Sequence, residues 1–328
     1  MIRARLSIPI AVLALLAGSP ATSRAAAEPE ADFISLNPRS SVAVERDGEA
    51  FEWTGDLYSL TTLEKIGTHT DRASCVTRTP PPCVVYDITT TYRVPGGEVV
   101  SRAQWSAGPE PTKPGVWLIG SRPQSDTIVS GGGRFQGRTG RVSGWGLLDL
   151  RQFPDRIGVD VRAFIRFAPT DAGILGSREL MVPHEPPGAD RFQTELFLSE
   201  GANESSEPAR FVIKTPLLSL SDGSQIGTVT DSFTCAVGPP PCLVMELTPV
   251  LQYPDGMITV RTEVPMAPDP VRPGFFLFGA RPTENNIVSA TGAYAGRTGH
   301  LSVSGTVDMR KAPSTVPYEG VGVLVFND

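Results

Sequence analysis

Histidine and cysteine are scarce in this chain, and so are the groupings that most enzymes need. Three histidines (His69, His184, His300) stand among 328 residues, too scattered to share a zinc site, for which the ligand spacing is also wrong. No G-x-S-x-G nucleophile elbow occurs, and no His-Asp-Ser order accompanies His300 in both halves. Basic residues are outnumbered 29 to 35, which argues against nucleic acid or an anionic membrane surface as partner. Runs of helical periodicity are missing. So is any apolar run long enough to span a membrane. Leu6 to Gly18 lies behind Arg3 and Arg5 and ahead of Ala25-Ala26-Ala27, the pattern of a secretory signal over residues 1–27; an uncleaved anchor is the alternative. Without those residues 26 basic and 35 acidic groups remain, a net charge of −9. The expected location is outside the cytoplasm, with no membrane contact once the signal is gone.

Glycine (33) and proline (31) are plentiful and follow no period, which suits many short strands joined by turns. The length allows two domains, each with its own core. The four cysteines come in pairs across proline turns: Cys75 and Cys83 bracket Arg-Thr-Pro-Pro-Pro, and Cys235 and Cys242 bracket Val-Gly-Pro-Pro-Pro. In an exported chain this reads as two disulfides, each closing a short loop and contributing about 2–3 kcal/mol in the chain-entropy model.

The pairing of cysteines is part of a larger repetition. Ile128-Val-Ser-Gly-Gly-Gly-Arg-Phe-Gln-Gly-Arg-Thr-Gly-Arg141 returns as Ile287-Val-Ser-Ala-Thr-Gly-Ala-Tyr-Ala-Gly-Arg-Thr-Gly-His300, an offset of 287 − 128 = 159. Ile66-Gly-Thr-His-Thr-Asp71 matches Ile226-Gly-Thr-Val-Thr-Asp231 at an offset of 160, one residue being lost in the second proline turn. Two long copies indicate a duplicated domain, since solenoid repeats have periods of about 20–50 residues. The expected layout is a first domain over 31–178, a proline-stiffened linker over 179–188 and a second domain over 189–328.

Within each copy the segments between turns alternate as strands do. Tyr86, Ile88, Thr90, Tyr92 and Val94 take one face and Asp87, Thr89, Thr91 and Arg93 the other. Val159, Val161, Ala163, Ile165 and Phe167 alternate with Asp160, Arg162 and Arg166. About seven or eight strands per copy, one face apolar, indicate an antiparallel barrel or sandwich. The last strand of the second copy carries Val321, Val323 and Val325 where the first has Arg162, Phe164 and Arg166. Its outer face is therefore expected to be covered, by the first domain or by another subunit. The glycines of the repeated stretch fit a tight hairpin; a phosphate cradle would need a helix to follow, and none does. Asp149 and Arg151 recur as Asp308 and Arg310, and Arg122 recurs as Arg281. They are read as rim ion pairs, with polarisation of a substrate carbonyl as the alternative.

The order of an apolar strand at Leu57-Tyr58, Lys65-Ile-Gly-Thr-His-Thr-Asp71, a cysteine-bearing strand and the glycine-rich hairpin resembles the allene oxide cyclase and dirigent superfamily, over roughly residues 35–168 and 193–327. That resemblance implies two tandem eight-stranded antiparallel calycin-like barrels with apolar interiors. Single barrels of the superfamily often form trimers; two in one chain depart from that. The activities it implies are cyclisation of an epoxide-bearing fatty acid, steering of phenolic coupling, and [4+2]-type closure of polyketides. The plant cyclase's asparagine falls on Gly55 and Thr215, its first-strand glutamate only loosely on Glu195, and its cysteine on Cys75 and Cys235, so allene oxide cyclase activity itself is not expected.

The candidate pocket residues are Tyr86, Tyr92, Trp105 and Trp117 in the first copy and Tyr253, Phe276 and Phe278 in the second; these either line a pocket for an apolar ligand or fill the barrel. The first copy, richer in Trp and Tyr, is the favoured site. No catalytic residue is assigned, and no cofactor or metal is expected. The expectation is a secreted, cofactor-free cyclase or steering protein for an apolar polyene, polyketide or phenolic molecule, acting by restricting its conformers, with Tyr92 or Trp117 as a donor that polarises an enone. A non-catalytic apolar-ligand binder and a structural module with filled barrels are the alternatives. Homo-oligomerisation, or close packing of the two domains, is expected on the valine face.

Overall fold

Runs of Val, Ile, Thr and aromatic residues with a two-residue period favour pleated, half-buried strands, and the computed structural model of the chain is all-β. It describes residues 33–168 and 192–327, apart from residues 48–49, 60–63, 78–82, 123–125, 200–204, 206–209, 219–224, 238–241 and 281–283. The signal (1–27), the linker (179–188), the two proline turns and Arg281 lie outside the described residues.

The first repeat contributes β1 (Phe33–Ala43), β2 (Glu45–Asp47), β3 (Ala50–Ser59), β4 (Lys65–Thr77) and β5 (Val85–Val94). It continues with β6 (Gly97–Pro109), β7 (Val116–Ser121), β8 (Ile128–Gly133), β9 (Gly140–Asp149) and β10 (Arg156–Phe167). The second contributes β11 (Phe192–Ser199), β12 (Arg210–Leu218), β13 (Gln225–Val237), β14 (Val244–Tyr253) and β15 (Gly256–Val260). It ends with β16 (Thr262–Pro268), β17 (Phe275–Ala280), β18 (Ile287–Ala290), β19 (Gly299–Asp308) and β20 (Tyr318–Phe326).

Each repeat forms one curled, barrel-like antiparallel sheet. The first runs β1-β10-β9-β7-β6-β5-β4-β3-β2 with β8 beside β6, and β1 also pairs β3. The second runs β13-β12-β11-β20-β19-β17-β16-β14-β15-β18, and β13 also pairs β14. Each sheet has ten strands rather than seven or eight. The surplus comes from short pieces such as β2, β8 and β18, and from the break at Arg261 that splits β15 from β16. Both expected disulfides are formed, Cys75–Cys83 and Cys235–Cys242, as suits an oxidising compartment. No helix among the described residues is long and apolar enough to cross a membrane.

The glycine-rich stretch is a tight turn in both copies and not the expected hairpin: it leads from a strand paired with an earlier one (β8 on β6, β18 on β15) into β9 or β19, which pair with other strands. Gly133 (φ +62°) and Gly292 (φ +61°) occupy the left-handed region, and a Cβ there would lie 2.2 Å from Gly96 O and 2.0 Å from Asp255 O. Only glycine meets both conditions. The turn folds its aromatic inward: Phe135 stacks on Phe167 with centroids 5.4 Å apart, and Tyr294 on Phe326 at 6.3 Å. These rings, all buried, plug one half of each interior.

The two repeats pack sheet against sheet within one compact unit spanning Asp32–Asp328. Three strands meet their own counterparts: β6 with β16, β7 with β17 and β9 with β19. Leu118 Cδ2 lies 3.0 Å from where Gly279 would carry a Cβ, and Leu277 Cδ2 lies 2.8 Å from the same point on Gly120. Since 277 − 118 and 279 − 120 are both 159, the contact is reciprocal, the signature of a two-fold interface. Around this apolar centre of Leu118, Leu277 and Ala267 the seam is asymmetric. Arg162 donates to Ser304 Oγ (3.2 Å) and Ser302 Oγ (2.5 Å), and Trp145 Nε1 donates to Thr306 Oγ1 (3.0 Å). Ser302 and Ser304 pair in register with Val323 and Val321, both buried. The valine face is thus covered by the first repeat of the same chain.

Leu118 belongs to one repeat and its seat, Gly279, to the other. Leu118→Ala is expected to lower the unfolding free energy by about 2–4 kcal/mol, read as a lowered midpoint in urea denaturation; an unchanged midpoint would show that the seam contributes nothing.

Candidate functional site

In both copies β4 and its counterpart β13 place an aspartate on the inner face at the same step, Asp71 and Asp231. The alternation requires this, because Asp71 stands opposite Trp53 and Thr90, and Asp231 opposite Ile213 and Pro249. What surrounds the two carboxyls has diverged.

In the first repeat Asp71 is fully partnered. His69 Nδ1 donates to its Oδ2 at 2.6 Å and Thr90 Oγ1 donates to its Oδ1 at 2.6 Å. Tyr92, directly opposite His69, hydrogen-bonds to Thr90 and Ser101, and burial, reinforced by the Asp71 charge, pushes its phenol up. His69 is wholly buried, and His69 Nε2 and Trp53 Nε1 have no hydrogen-bond partner among the described residues. Above this polar belt Trp53, Trp105, Ile119 and Leu148 pack into one cluster, with Tyr86 and Trp117 against it. The first repeat, favoured for its Trp and Tyr content, uses those side chains as packing.

The second repeat holds a cavity of about 60 Å³ at the corresponding place, several times the room that one water needs. The space follows from substitution between the copies. At an offset of 159 or 160, Trp105, Trp53 and Trp117 become Val264, Ile213 and Phe276. Trp105 Cη2 lies 2.8 Å from where Gly144 would carry a Cβ; its counterpart pair, Val264 and Val303, lines the cavity from both sides. Phe233, Met266 and Met245, standing where the first copy has Ala73, Ala107 and Tyr86, rebuild the wall with rings and thioethers.

Asp231 borders this cavity, whose surface is almost wholly apolar, and the Tyr318 hydroxyl donates to its Oδ2. Tyr318 replaces Val159 of the first copy and packs edge-on to Phe233, with centroids 6.2 Å apart at 87°. Burial pushes the Asp231 carboxyl up to about 6, against the opposing pull of the Tyr318 bond. No other charged side chain is found among the described residues lining the cavity. The carboxyl can change its protonation near neutral pH, while the cavity surface offers a guest almost no polar group.

Of the candidate aromatic residues, Phe278 lines the cavity and Phe276 packs in the cluster beside it. Tyr253 lies in the other half of the second interior, 5.3 Å from Tyr294. Tyr86, Trp105 and Trp117 meet in one cluster of the first repeat, Tyr92 in the other. Asp149 and Arg151, like Asp308 and Arg310, form bidentate ion pairs with the guanidinium exposed, and Arg122 bonds Gln104. None of these lines the cavity. His300 is half-buried, and burial together with the Arg162 charge lowers its pKa. Thr215 is buried on β12 with an unpartnered hydroxyl; Glu195 lies on β11, its side chain outside the described residues. Asp231 and Tyr318 were not singled out by sequence. The signal for the first was an inward-facing Asp kept in both copies; the second stands one residue before the matched final strand. No protein-family model, curated protein or solved structure matches the chain.

Because its folded pKa is raised from 3.8 to about 6, Asp231 holds its proton in the folded chain where the unfolded chain has lost it. Stability attributable to it is full below about pH 4 and falls as pH rises to about 6, by roughly 2–3 kcal/mol. Denaturation midpoints across that window should fall for the native chain and fall less for Asp231→Asn; equal slopes would contradict the assignment.

Proposed function

We propose that the protein is a cofactor-free binding and cyclisation protein whose second repeat encloses an apolar small molecule while the first repeat serves as scaffold. One observation carries this reading: an almost wholly apolar cavity in the second repeat, with the buried carboxyl–phenol pair Asp231 and Tyr318 in its wall. A flexible polyene, polyketide or phenolic substrate held there loses most of its conformers, and ring closure accelerates for that reason alone. The additional pairings β1–β3 and β13–β14, which bring the first strand of each path back to a strand near its other end, support a closed eight-stranded barrel of the allene oxide cyclase and dirigent type in each repeat. The disulfides support function after export.

A non-catalytic holder of apolar molecules is the second reading, favoured by the absence of a second ionisable acid or base beside Asp231 and Tyr318 on the described cavity wall. Turnover separates the two.

Transferring the packing of the first repeat tests the site. The double variant V264W/V303G, which reproduces Trp105 against Gly144, is expected to fill the cavity and keep the fold by circular dichroism. It should abolish capture of any apolar compound that co-purifies with the native chain in native mass spectrometry. Retention of the compound by the filled variant would place binding elsewhere.

A further inference from the structure

Resting on the reading of this cavity as a ligand site, its wall, size and closed end say which part of a ligand it takes. The wall is almost wholly apolar, and the Tyr318 hydroxyl donates to the Asp231 carboxyl. A hydroxyl, ether or carbonyl carried inside would leave its water partners and find almost none in exchange, which is costly. The group held there is therefore hydrocarbon.

Size narrows it further. A cavity of about 150 Å³ holds benzene. By that proportion the volume of about 60 Å³ in the second repeat holds about two to three carbons. A phenol or other aromatic ring is too large, whereas an ethyl, vinyl or isopropyl terminus fits. The thioethers of Met245, Met266 and Met309 supply unbranched, polarizable side chains that adapt to such a group.

The cavity has one closed end. Leu247, Val264, Leu301 and Val303 line it and also belong to the packed cluster that holds Tyr253, Tyr294 and Phe326, so that cluster is its floor. Along β19 the lining runs from Leu301 to Val307 and on to Met309, and Val316 joins it from the connection between β19 and β20. The cavity is incompletely enclosed; with the floor filled, the way in passes this connection.

We propose that the second repeat seats the aliphatic end of a longer lipophile, two or three carbons entering tail first, while the functionalised remainder stays outside beside the β19–β20 connection. Among polyene, polyketide and phenolic substrates, an open chain with a small unsubstituted terminus matches this seat and a phenolic ring does not.

The test uses the full oxidised chain with isotope-labelled methionine methyls, read by NMR, and four probes: propane, its isostere dimethyl ether, benzene and hexan-1-ol. Propane is expected to shift the Met245, Met266 and Met309 signals and to leave Met257, exposed on β15, unmoved. Dimethyl ether should bind at least about thirtyfold more weakly, and benzene should leave the three signals in place. Hexan-1-ol should shift the same signals, its terminal methyl and not its carbinol carbon giving nuclear Overhauser contacts to Met266. In V264W/V303G the propane response should vanish; should that variant fail to fold, contacts from propane to Val264 and Val303 in the native chain locate it instead. Ether binding as tight as propane, a benzene response, or propane binding without hexanol binding overturns the chain-end assignment and leaves the cavity as a ligand site. Failure of every probe, or a propane response that survives in the filled variant, overturns the cavity reading as well.

Discussion

The close approach of two sheets at Leu118 and Leu277 governs the rest of the molecule. Each leucine lies over a glycine of the other repeat, and a side chain on either glycine would hold the sheets apart. A curled sheet has one inner face that it can bury on its own; β6, β7, β9 and β10, with their counterparts, must bury the outer face as well. This is why Trp145, Phe164, Val321 and Val323 point away from their own interiors and are still buried. It is also why charge at the seam is handled locally. Glu319 is buried close to Arg141 and Arg166, burial raising its pKa while those guanidiniums pull it down. Arg166 is itself pushed down to about 10 by burial and by Arg141.

The same duplication explains the site. An inward aspartate in the middle of an apolar interior is unfavourable in either copy, and the copies resolve it differently. The first surrounds it with His69, Thr90 and Tyr92 and packs tryptophan over the network. The second gives it a single phenol and leaves space. Divergence in side-chain volume, Trp105 to Val264 with Gly144 to Val303, accompanies divergence in polarity, and together they turn one interior into a core and the other into a cavity.

Much of the fold was legible in the residues. The disulfide pairs, the turn glycines and the inner faces of β5 and β10 followed from spacing and a two-residue period, both set by local backbone geometry; that the turn joins strands paired elsewhere, and not a hairpin, did not. The burial of the valine face followed from its being apolar on both sides. The site was less legible. A cavity is a difference between the volumes of side chains contributed by several strands, and no single strand records it. Asp231 could be found as an acid retained on an inner face; Tyr318 acquires its meaning only when β20 is laid across the interior from β13. Aromatic content, the cue that favoured the first repeat, marks packing as readily as pockets, and here Trp53, Trp105 and Trp117 pack in one cluster.

The pseudo-two-fold seam has a consequence for what the chain can become. In a symmetric dimer of identical subunits every substitution is made twice, once on each side of the axis, so a large residue always faces its own copy's surroundings. Joining the halves in one polypeptide ends that coupling. Trp145 can stand on one side with Ser304 in the equivalent place on the other, and Arg162 with Val321, a difference between equivalent positions that a homodimer cannot encode. One half is then free to hold the architecture while the other changes its interior.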